Sequence, residues 1–396
     1  MITYNNVMVT LSTVTGDNPF VYGEIVTAAA FADREEERAH LARDLASGQK
    51  VFLISPRRYG KSSLVRDVMR SLARRKILTV EVTVAASSSY LGFLEAYAQA
   101  LLAADTPAGR LKRWAAELLR GVKPEIRFDA DPMGRAKLAL SFPSVRTARD
   151  TARIANEVFQ LPARIAEARR QRLAVALDEF QAITSFDGGS VENALRAAVQ
   201  EQRQVGYVFS GSEPSLMERM LGRRRPFYKA GPVMRLQKIE PHDFAAFVDD
   251  RFRRSGLKPE AGLGDAIVDL AGNVPYDVQR LAHETWDDVR EAGKKTAGLD
   301  DLHATLLRLL GEQNTVFEES WQRLTLLQRA VLRALVIEDG RELMSADVRT
   351  RHRLPGTSTI QAALAALLRL DIITRDGGRY AVVDSLYREW VARQTY

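Results

Sequence analysis

The sequence predicts an α/β protein with a parallel central sheet, then a helical region, then a small domain of three helices and a two-stranded ribbon. Three observations predict this. Short continuous apolar runs, Val51-Phe-Leu-Ile54, Ile77 to Val84, Leu173-Ala-Val-Ala-Leu177 and Tyr207-Val-Phe209, suit strands buried on both faces. Helical periodicity lies between them, the alternation that a parallel sheet requires. From Pro241 to Gly311 the pattern is helical throughout, and after Leu324 it changes again.

The bulk properties fit that architecture. A chain of 396 residues is too long for one ordinary core and predicts two or three domains. No apolar run approaches the roughly 20 residues that span a bilayer, and the first residues lack the basic start and apolar core of a secretory signal. Without cysteine, disulfides, thiolate chemistry and zinc ribbons are excluded, and the five histidines show no metal-ligand spacing. A cytoplasmic protein is expected. The net charge of +7 is uneven: eleven Lys/Arg stand against four Asp/Glu between Arg219 and Lys258, so the rest of the chain is neutral. Such a run suits nucleic acid, an acidic partner or a neighbour's nucleotide phosphates, and equally a solvated basic face.

Taken in order, residues 1–30 read as an irregular arm with a turn at Asn18-Pro19-Phe20. A helix is expected from about Asp33, with Asp33 as cap, an acidic first turn and apolar Leu41 and Leu45 one turn apart. The strand Val51–Ile54 leads through a loop into a helix from Ser62 to about Arg75, and a second strand closes a β-loop-α-β unit. Residues 88–170 read as a helix-rich insertion. Within it, Ile126 and Phe128, then Leu138, Leu140 and Phe142, alternate around Asp131-Pro-Met-Gly134, the pattern of a β-hairpin over 124–142. At the carboxyl end, helices at Thr325–Val336, Ser345–Arg353 and Thr357–Leu370 precede a ribbon over Ile372–Val383 that turns at Asp376-Gly377-Gly378. Three helices and a β-wing make a winged helix-turn-helix.

The chemistry-bearing segment is Ser55-Pro56-Arg57-Arg58-Tyr59-Gly60-Lys61-Ser62. In the pattern G-x-x-x-x-G-K-[ST], successive backbone N–H groups curl around a β-phosphate, and a helix N-terminus aims its partial positive charge at the same anion. Gly60 permits close approach, Lys61 is expected on the β- and γ-phosphates, and Ser62 on Mg²⁺. Ser63 follows in the first helical turn. Ser55 replaces the first glycine, and Pro56 biases it toward extended geometry, where a side chain is tolerated. Downstream, Asp178 and Glu179 end a buried strand at its carboxyl end, where open α/β sheets bind ligands. Asp178 is expected to hold Mg²⁺ through water, and Glu179 to polarise the attacking water. Ser210 and Ser212, ending a further strand, are candidates to touch the γ-phosphate or that water, or simply a strand-to-loop turn.

Together, Phe31-x-x-Arg34-Glu35, Pro56-Arg-Arg-Tyr-Gly-Lys-Ser-Ser-Leu64, Asp178-Glu-Phe-Gln181, Phe209-Ser-Gly-Ser212 and Arg225-Pro-Phe-Tyr228 resemble the archaeal-type ATPases, which are also widespread in bacteria. That family lies in the AAA+ superclass, near the STAND and origin-recognition ATPases. Gly272-Asn-Val-Pro275 resembles its lid motif, and Val383-Asp-Ser-Leu-Tyr-Arg-Glu-Trp390 the end of its winged helix. The resemblance spans about residues 18–392. It implies an AAA+ core over 31–240, a helical lid over 241–311, a winged helix over 324–396, and ATP and Mg²⁺ as cofactors. It implies that Phe31 and Arg34 border the adenine pocket, that Pro275 lies near the base or ribose, and that Arg280 acts as a phosphate sensor. Arg223, Arg224 or Arg225 would act in trans in a homo-oligomer.

Duplex DNA is the leading partner, through the winged helix and the basic 219–258 segment. Arg349, Arg351, Arg353, Arg375 and Arg379 offer phosphate contacts, but the third helix exposes Ser358, Gln361, Ala362, Ala365 and Arg369, a poor set for reading bases. Eleven Arg against eight acids across 325–396 is mildly basic. The leading expectation is a DNA-associated ATPase. A STAND-like switch acting on a protein partner is the alternative. A small-molecule kinase is disfavoured by the acid pair and the winged helix.

Overall fold

A computed structural model describes residues 17–23, 34–105, 124–130, 136–143, 147–186, 190–376 and 378–394. The chain forms two compact units: Ile25–Gln237, and Met1–Glu24 together with Lys238–Tyr396.

The first unit contains α1 (Glu35–Ala46), β1 (Lys50–Ile54), α2 (Lys61–Arg74), β2 (Leu78–Thr83), α3 (Tyr90–Asp105), β3 (Glu125–Ala130), β4 (Ala136–Ser141) and α4 (Ala148–Arg169). It continues with β5 (Leu173–Asp178), α5 (Ser190–Glu201), β6 (Val205–Gly211), α6 (Pro214–Met220) and β7 (Val233–Arg235). Five parallel strands pair in the order β2-β5-β6-β1-β7. Side chains alternate across a strand, so Phe52 and Ile54 of β1 enter one core with α3, α4 and α5, while Val51 and Leu53 enter another with α1 and α2. Every residue of β6 is buried, as a strand covered on both faces requires.

The connections decide where a ligand can sit. From β1 the chain passes through α2 to β2 at one edge, while from β6 it passes through α6 to β7 on the other side of β1. Both connections leave from the carboxyl ends of their strands, the side on which open α/β sheets bind ligands. The expected hairpin is present: β3 and β4 pair antiparallel from Glu125 opposite Ser141 to Ala130 opposite Ala136, and its turn lies outside the described residues. The expected cap of the first helix differs. Arg34, not Asp33, precedes α1, in a left-handed conformation (φ 80°) and without a side-chain cap; Asp33 lies outside the described residues.

The second unit holds α7 (Pro241–Arg254), β8 (Lys258–Pro259), α8 (Leu263–Leu270), α9 (Pro275–Glu291), β9 (Thr296–Ala297) and α10 (Leu299–Gln322). The winged helix follows as α11 (Leu326–Ile337), α12 (Ala346–Arg351), α13 (Thr357–Arg369), β10 (Ile373–Asp376), β11 (Arg379–Val382) and α14 (Ser385–Ala392). Its starts are legible in local chemistry: Thr325 and Gln328 form a reciprocal capping box on α11, Ser345 caps α12 and Asp384 caps α14. Gly311, the expected end of the lid, lies inside α10. That helix runs on to the winged helix, where Phe317 packs on Tyr387 and Trp321 on Trp390, with ring centroids 5.3 and 6.0 Å apart. The described piece of the amino-terminal arm is also built in. Asn18 donates to the His283 carbonyl (3.1 Å) and Asp287 (2.9 Å), Val21 N–H to Gln279 (3.2 Å), and Phe20 packs on Phe252 at 4.9 Å.

Candidate nucleotide site

The loop Ser55–Gly60 leaves β1 and enters α2 at Lys61. Its left-handed residues are Arg58 (φ 70°) and Gly60 (φ 84°), whereas Ser55 has no positive φ. Ser55 is buried, its N–H donates to the Gly211 carbonyl at 3.2 Å, and its hydroxyl donates to the Pro56 carbonyl at 2.9 Å. The first glycine of the pattern is therefore dispensable at this position. The first turn of α2 carries no acid, so no side chain there offsets the helix's positive end.

Lys61, 5% exposed, makes ion pairs with Asp178 and with Glu179 Oε1, the latter at 3.1 Å. Ser62 Oγ donates to Asp178 Oδ2 (2.9 Å) and Ser210 Oγ to Asp178 Oδ1 (2.6 Å). Ser212 Oγ (2.5 Å) and Gln181 Nε2 (2.6 Å) both donate to Glu179 Oε2. The segments around Lys61, Asp178 and Ser210 thus meet through one network, although β6 separates β1 from β5 in the sheet. Burial pushes the Asp178 carboxyl up, but the Lys61 charge and the bonds from Lys61, Ser210 and Ser62 outweigh it and hold the group below the usual carboxylate range. Burial likewise raises Glu179, and Ser212, Lys61 and Gln181 bring it down below its ordinary value.

A divalent cation fits this donor set. Ser62 Oγ and Asp178 Oδ2, 2.9 Å apart, are hard oxygen donors of the kind that would hold Mg²⁺, directly or through water. No cluster of three or more His, Cys, Asp or Glu able to hold a metal exists among the described residues. Mg²⁺ held by one or two protein oxygens, water and phosphates needs none.

The remaining expected residues are placed differently. Arg34 is buried, donating to Glu37 at 2.7 Å and to the Gln237 carbonyl. Phe31 lies outside the described residues. Pro275 opens α9 and Arg280 lies further along it, its guanidinium beside the Gln313 side-chain amide of α10, in the second unit. Arg223 and Arg224 are exposed between α6 and β7, whereas Arg225 is paired at 3.2 Å with Glu192, a carboxylate only 1% exposed. Burial raises the Glu192 carboxyl against the opposing effect of Arg225.

Gln181 is the participant to which the sequence assigns no role. Glu179 adopts φ 51° and begins a 3-10 turn over Phe180–Ser185, which returns the Gln181 amide to the Glu179 carboxylate. Gly211 makes room for this: a Cβ there would stand 2.5 Å from Met217 and 2.7 Å from Gln181 Oε1. The spacing of an amide two residues after the acid was the available signal.

Comparison with solved structures places this arrangement. The Walker-type ATPase of Pyrococcus abyssi superposes with a TM-score of 0.60 at 17% identity, over 92% of this chain and 97% of that one. The ORC2 protein of Aeropyrum pernix, in its ADPNP–ADP complexes, gives 0.52 at 12% identity over 95% of each chain. The ORC1 protein of the same organism, determined in complex with DNA, gives 0.50 at 13% identity over 90% of this chain and 91% of that one. Residues 315–393 match the family described as "Probable winged helix domain". The chain shares the fold of these proteins, a parallel α/β core followed by a C-terminal winged helix. No curated protein matches the chain. Among the described residues no helix is long and apolar enough to cross a membrane.

Proposed function

We propose that the chain is a Mg²⁺-dependent ATPase whose nucleotide state drives or switches a DNA-associated process through its lid and winged helix. The observation that carries this reading is the network in which Lys61, Ser62, Asp178, Glu179, Ser210 and Ser212 converge at the carboxyl end of β1. On nucleotide binding, the Lys61 ammonium exchanges its two carboxylates for the β- and γ-phosphate oxygens, and the backbone N–H groups of residues 57–62 cradle the β-phosphate. Ser62 and Asp178 are the residues that would hold Mg²⁺, which neutralises charge on the phosphoryl group. Release of Lys61 uncovers Glu179 Oε1, which takes the proton of the attacking water while Oε2 stays held by Gln181 and Ser212. Ser210 keeps Asp178 turned toward Ser62. Phe31, Arg34, Pro275 and Arg280 remain, by resemblance, the candidates for base and phosphate recognition, and Arg223 and Arg224 for action in trans in a homo-oligomer.

The DNA half of the proposal draws on the winged helix and on the likeness in fold to A. pernix ORC1. Charge in the winged helix is largely compensated: Arg351 pairs with Glu338 at 2.7 Å, Arg379 with Asp339 at 3.6 Å, and Arg375 bonds Tyr380 at 2.9 Å. The basic run 219–258 is divided between the units. Six cations and no acid fall within Arg219–Arg235, against five cations and four acids from Lys238 to Lys258. In the latter part Arg253 and Arg254 are paired with Asp249 and Asp250.

The test is ATP turnover with and without duplex DNA. Mg²⁺-dependent hydrolysis that rises on adding duplex is expected, and Lys61→Ala should lose ATP binding in a fluorescent-nucleotide titration. Undiminished binding by that variant would remove the assigned role of the loop. One observation favours the STAND-like switch as a second reading: both Glu179 oxygens are held by protein partners, Oε1 by Lys61 and Oε2 by Gln181 and Ser212. It expects nucleotide to co-purify and turnover to be slow until a protein partner is added.

A further inference from the structure

The parallel sheet gathers a second charged feature at its other end. The loops leading into β2, β5 and β6 carry Arg74, Arg75 and Lys76, then Arg169, Arg170 and Arg172, then Arg203, all exposed. The sheet order makes these loops neighbours. Leu78 N–H donates to the Arg172 carbonyl (3.0 Å) and Leu173 N–H to the Gln204 carbonyl (3.3 Å). The Arg172 guanidinium is itself pinned on the Ala46 carbonyl. Among the described residues, Arg74, Arg75, Lys76, Arg170 and Arg203 have no carboxylate within 4.0 Å. The acids of these loops are Glu167 and Glu201, and the loop into β1, Ser47–Gln49, is neutral.

The bland account is that α1, α2, α4 and α5 end here and their negative dipole ends attract cations. Four helix ends supply about half a negative charge each. With the two acids they leave an excess of roughly three positive charges over the seven cations of the ridge. Lys76 (φ 59°) and Arg170 (φ 51°) also occupy left-handed positions that ordinarily go to glycine. Helix ends alone do not call for long cations there.

We propose that this ridge is a docking site for the phosphate backbone of nucleic acid, at the end of the sheet opposite the nucleotide site. Six of the seven cations are arginine, whose planar fork matches a phosphate with two parallel bonds. The ridge presents no exposed aromatic or large apolar side chain, the anchors on which protein partners depend, while a phosphate ladder needs none. Adjacent strands lie about 4.8 Å apart, so the three loops span roughly 10 Å. That is the length of about three phosphates along one strand at ~3.4 Å each.

The inference rests on the DNA half of the proposed function, and its test separates the two. The full chain carrying Arg75→Ala, Arg170→Asn and Arg203→Ala together would be compared with wild type, asparagine being chosen because it tolerates the left-handed backbone. Binding of a fluorescent duplex of random sequence is followed by anisotropy across a salt series. The expected result is a slope of log K against log salt shallower by about 2.7, three contacts at ~0.9 each, and at least tenfold weaker binding at low salt. Lysine at all three positions should restore binding, and ATP binding should be unchanged in every variant, which also reports folding. Wild-type binding with an unchanged slope in the triple variant would overturn the ridge and leave the ATPase–DNA reading standing. No binding by wild type at low salt would overturn both. Ridge-dependent binding of poly-glutamate without DNA binding would assign the surface to an acidic protein instead.

Discussion

The two ends of the central sheet are built from the same strands and treat charge in opposite ways. β5 begins just after Arg172 and ends in Asp178; β6 begins after Arg203 and ends in the Ser210-Gly211 hydroxyl turn. At the carboxyl end, Lys61 is buried between two carboxylates that hydroxyls and an amide hold in place. At the amino end, five cations stand in solvent without an acid partner. A buried cation cannot wait unpaired because desolvation is too costly, so the nucleotide end must carry its own placeholder anions, which phosphate later displaces. An exposed cation is screened by water and salt and needs no placeholder. A six-residue strand puts about 17 Å between its two ends at ~3.3 Å per residue, beyond the ~8–10 Å screening length. The two ends should therefore respond independently to substitution.

The largest effect is expected at the nucleotide end. Glu179→Gln keeps the shape and the hydrogen-bonding reach of the side chain but removes the base. Turnover should fall by roughly 10²–10⁴, the usual worth of a positioned general base, while ATP binding persists and duplex binding keeps its wild-type salt dependence. Single-turnover hydrolysis at the wild-type rate would show that the water is activated by another group.

A smaller effect is expected from the residue that aims the base. Gln181→Leu removes the 2.6 Å bond to Glu179 Oε2 but leaves Ser212 in place. A hydrogen bond to a charged group is worth about 1.5–3 kcal/mol, so kcat should fall roughly ten- to a hundredfold, with KM unchanged. Because Gln181 acts through Glu179, the same substitution made on Glu179→Gln should cost nothing further. A loss that persists in the double variant, or a raised KM, would make Gln181 part of the packing under the loop.

What could be read in the sequence follows the same division. The loop 55–62, the strand ending in Asp178 and the capped helices of the winged helix are contiguous, and their chemistry is local. The hairpin at 124–142 was visible because alternation has a period of two and its register is set by one turn. The ridge was not visible, because Arg75, Arg170 and Arg203 are separated by about a hundred and thirty residues and meet only through sheet order. The reverse held for the run 219–258, which is dense in sequence but divided between two units. Asn18 bonding to Asp287 is a third case, a contact across 269 positions with no local signature. Arg34's described partners are Glu37, three residues on, and the Gln237 carbonyl, about two hundred positions away, a contact its motif does not spell out.

The smallest effect sharpens the placeholder idea, and pH isolates it. Asp178 and Glu179 are depressed in the folded state, so their contribution is complete above the unfolded values of about 3.9 and 4.3. It is lost as pH falls through the lower folded values. In Lys61→Met the opposing charge is gone, so both acids rise from their depressed values, while burial still pushes them up and the bonds from Ser210, Ser62, Ser212 and Gln181 still hold them down. The stability that the ionised acids contribute at neutral pH shrinks accordingly, and the difference from wild type fades as pH falls and the acids are protonated in both proteins. A tenfold change in a carboxylate's proton affinity is worth about 1.4 kcal/mol, and 1 kcal/mol moves the melting temperature of a unit this size by about 2–4 °C. Thermal unfolding without nucleotide should therefore show Lys61→Met several degrees below wild type at pH 7, with the gap narrowing toward pH 4. A gap independent of pH would mean that Lys61 stabilises the loop by packing rather than by charge. The carboxylates would then be plain ligands of Mg²⁺, with no part in keeping an empty site folded.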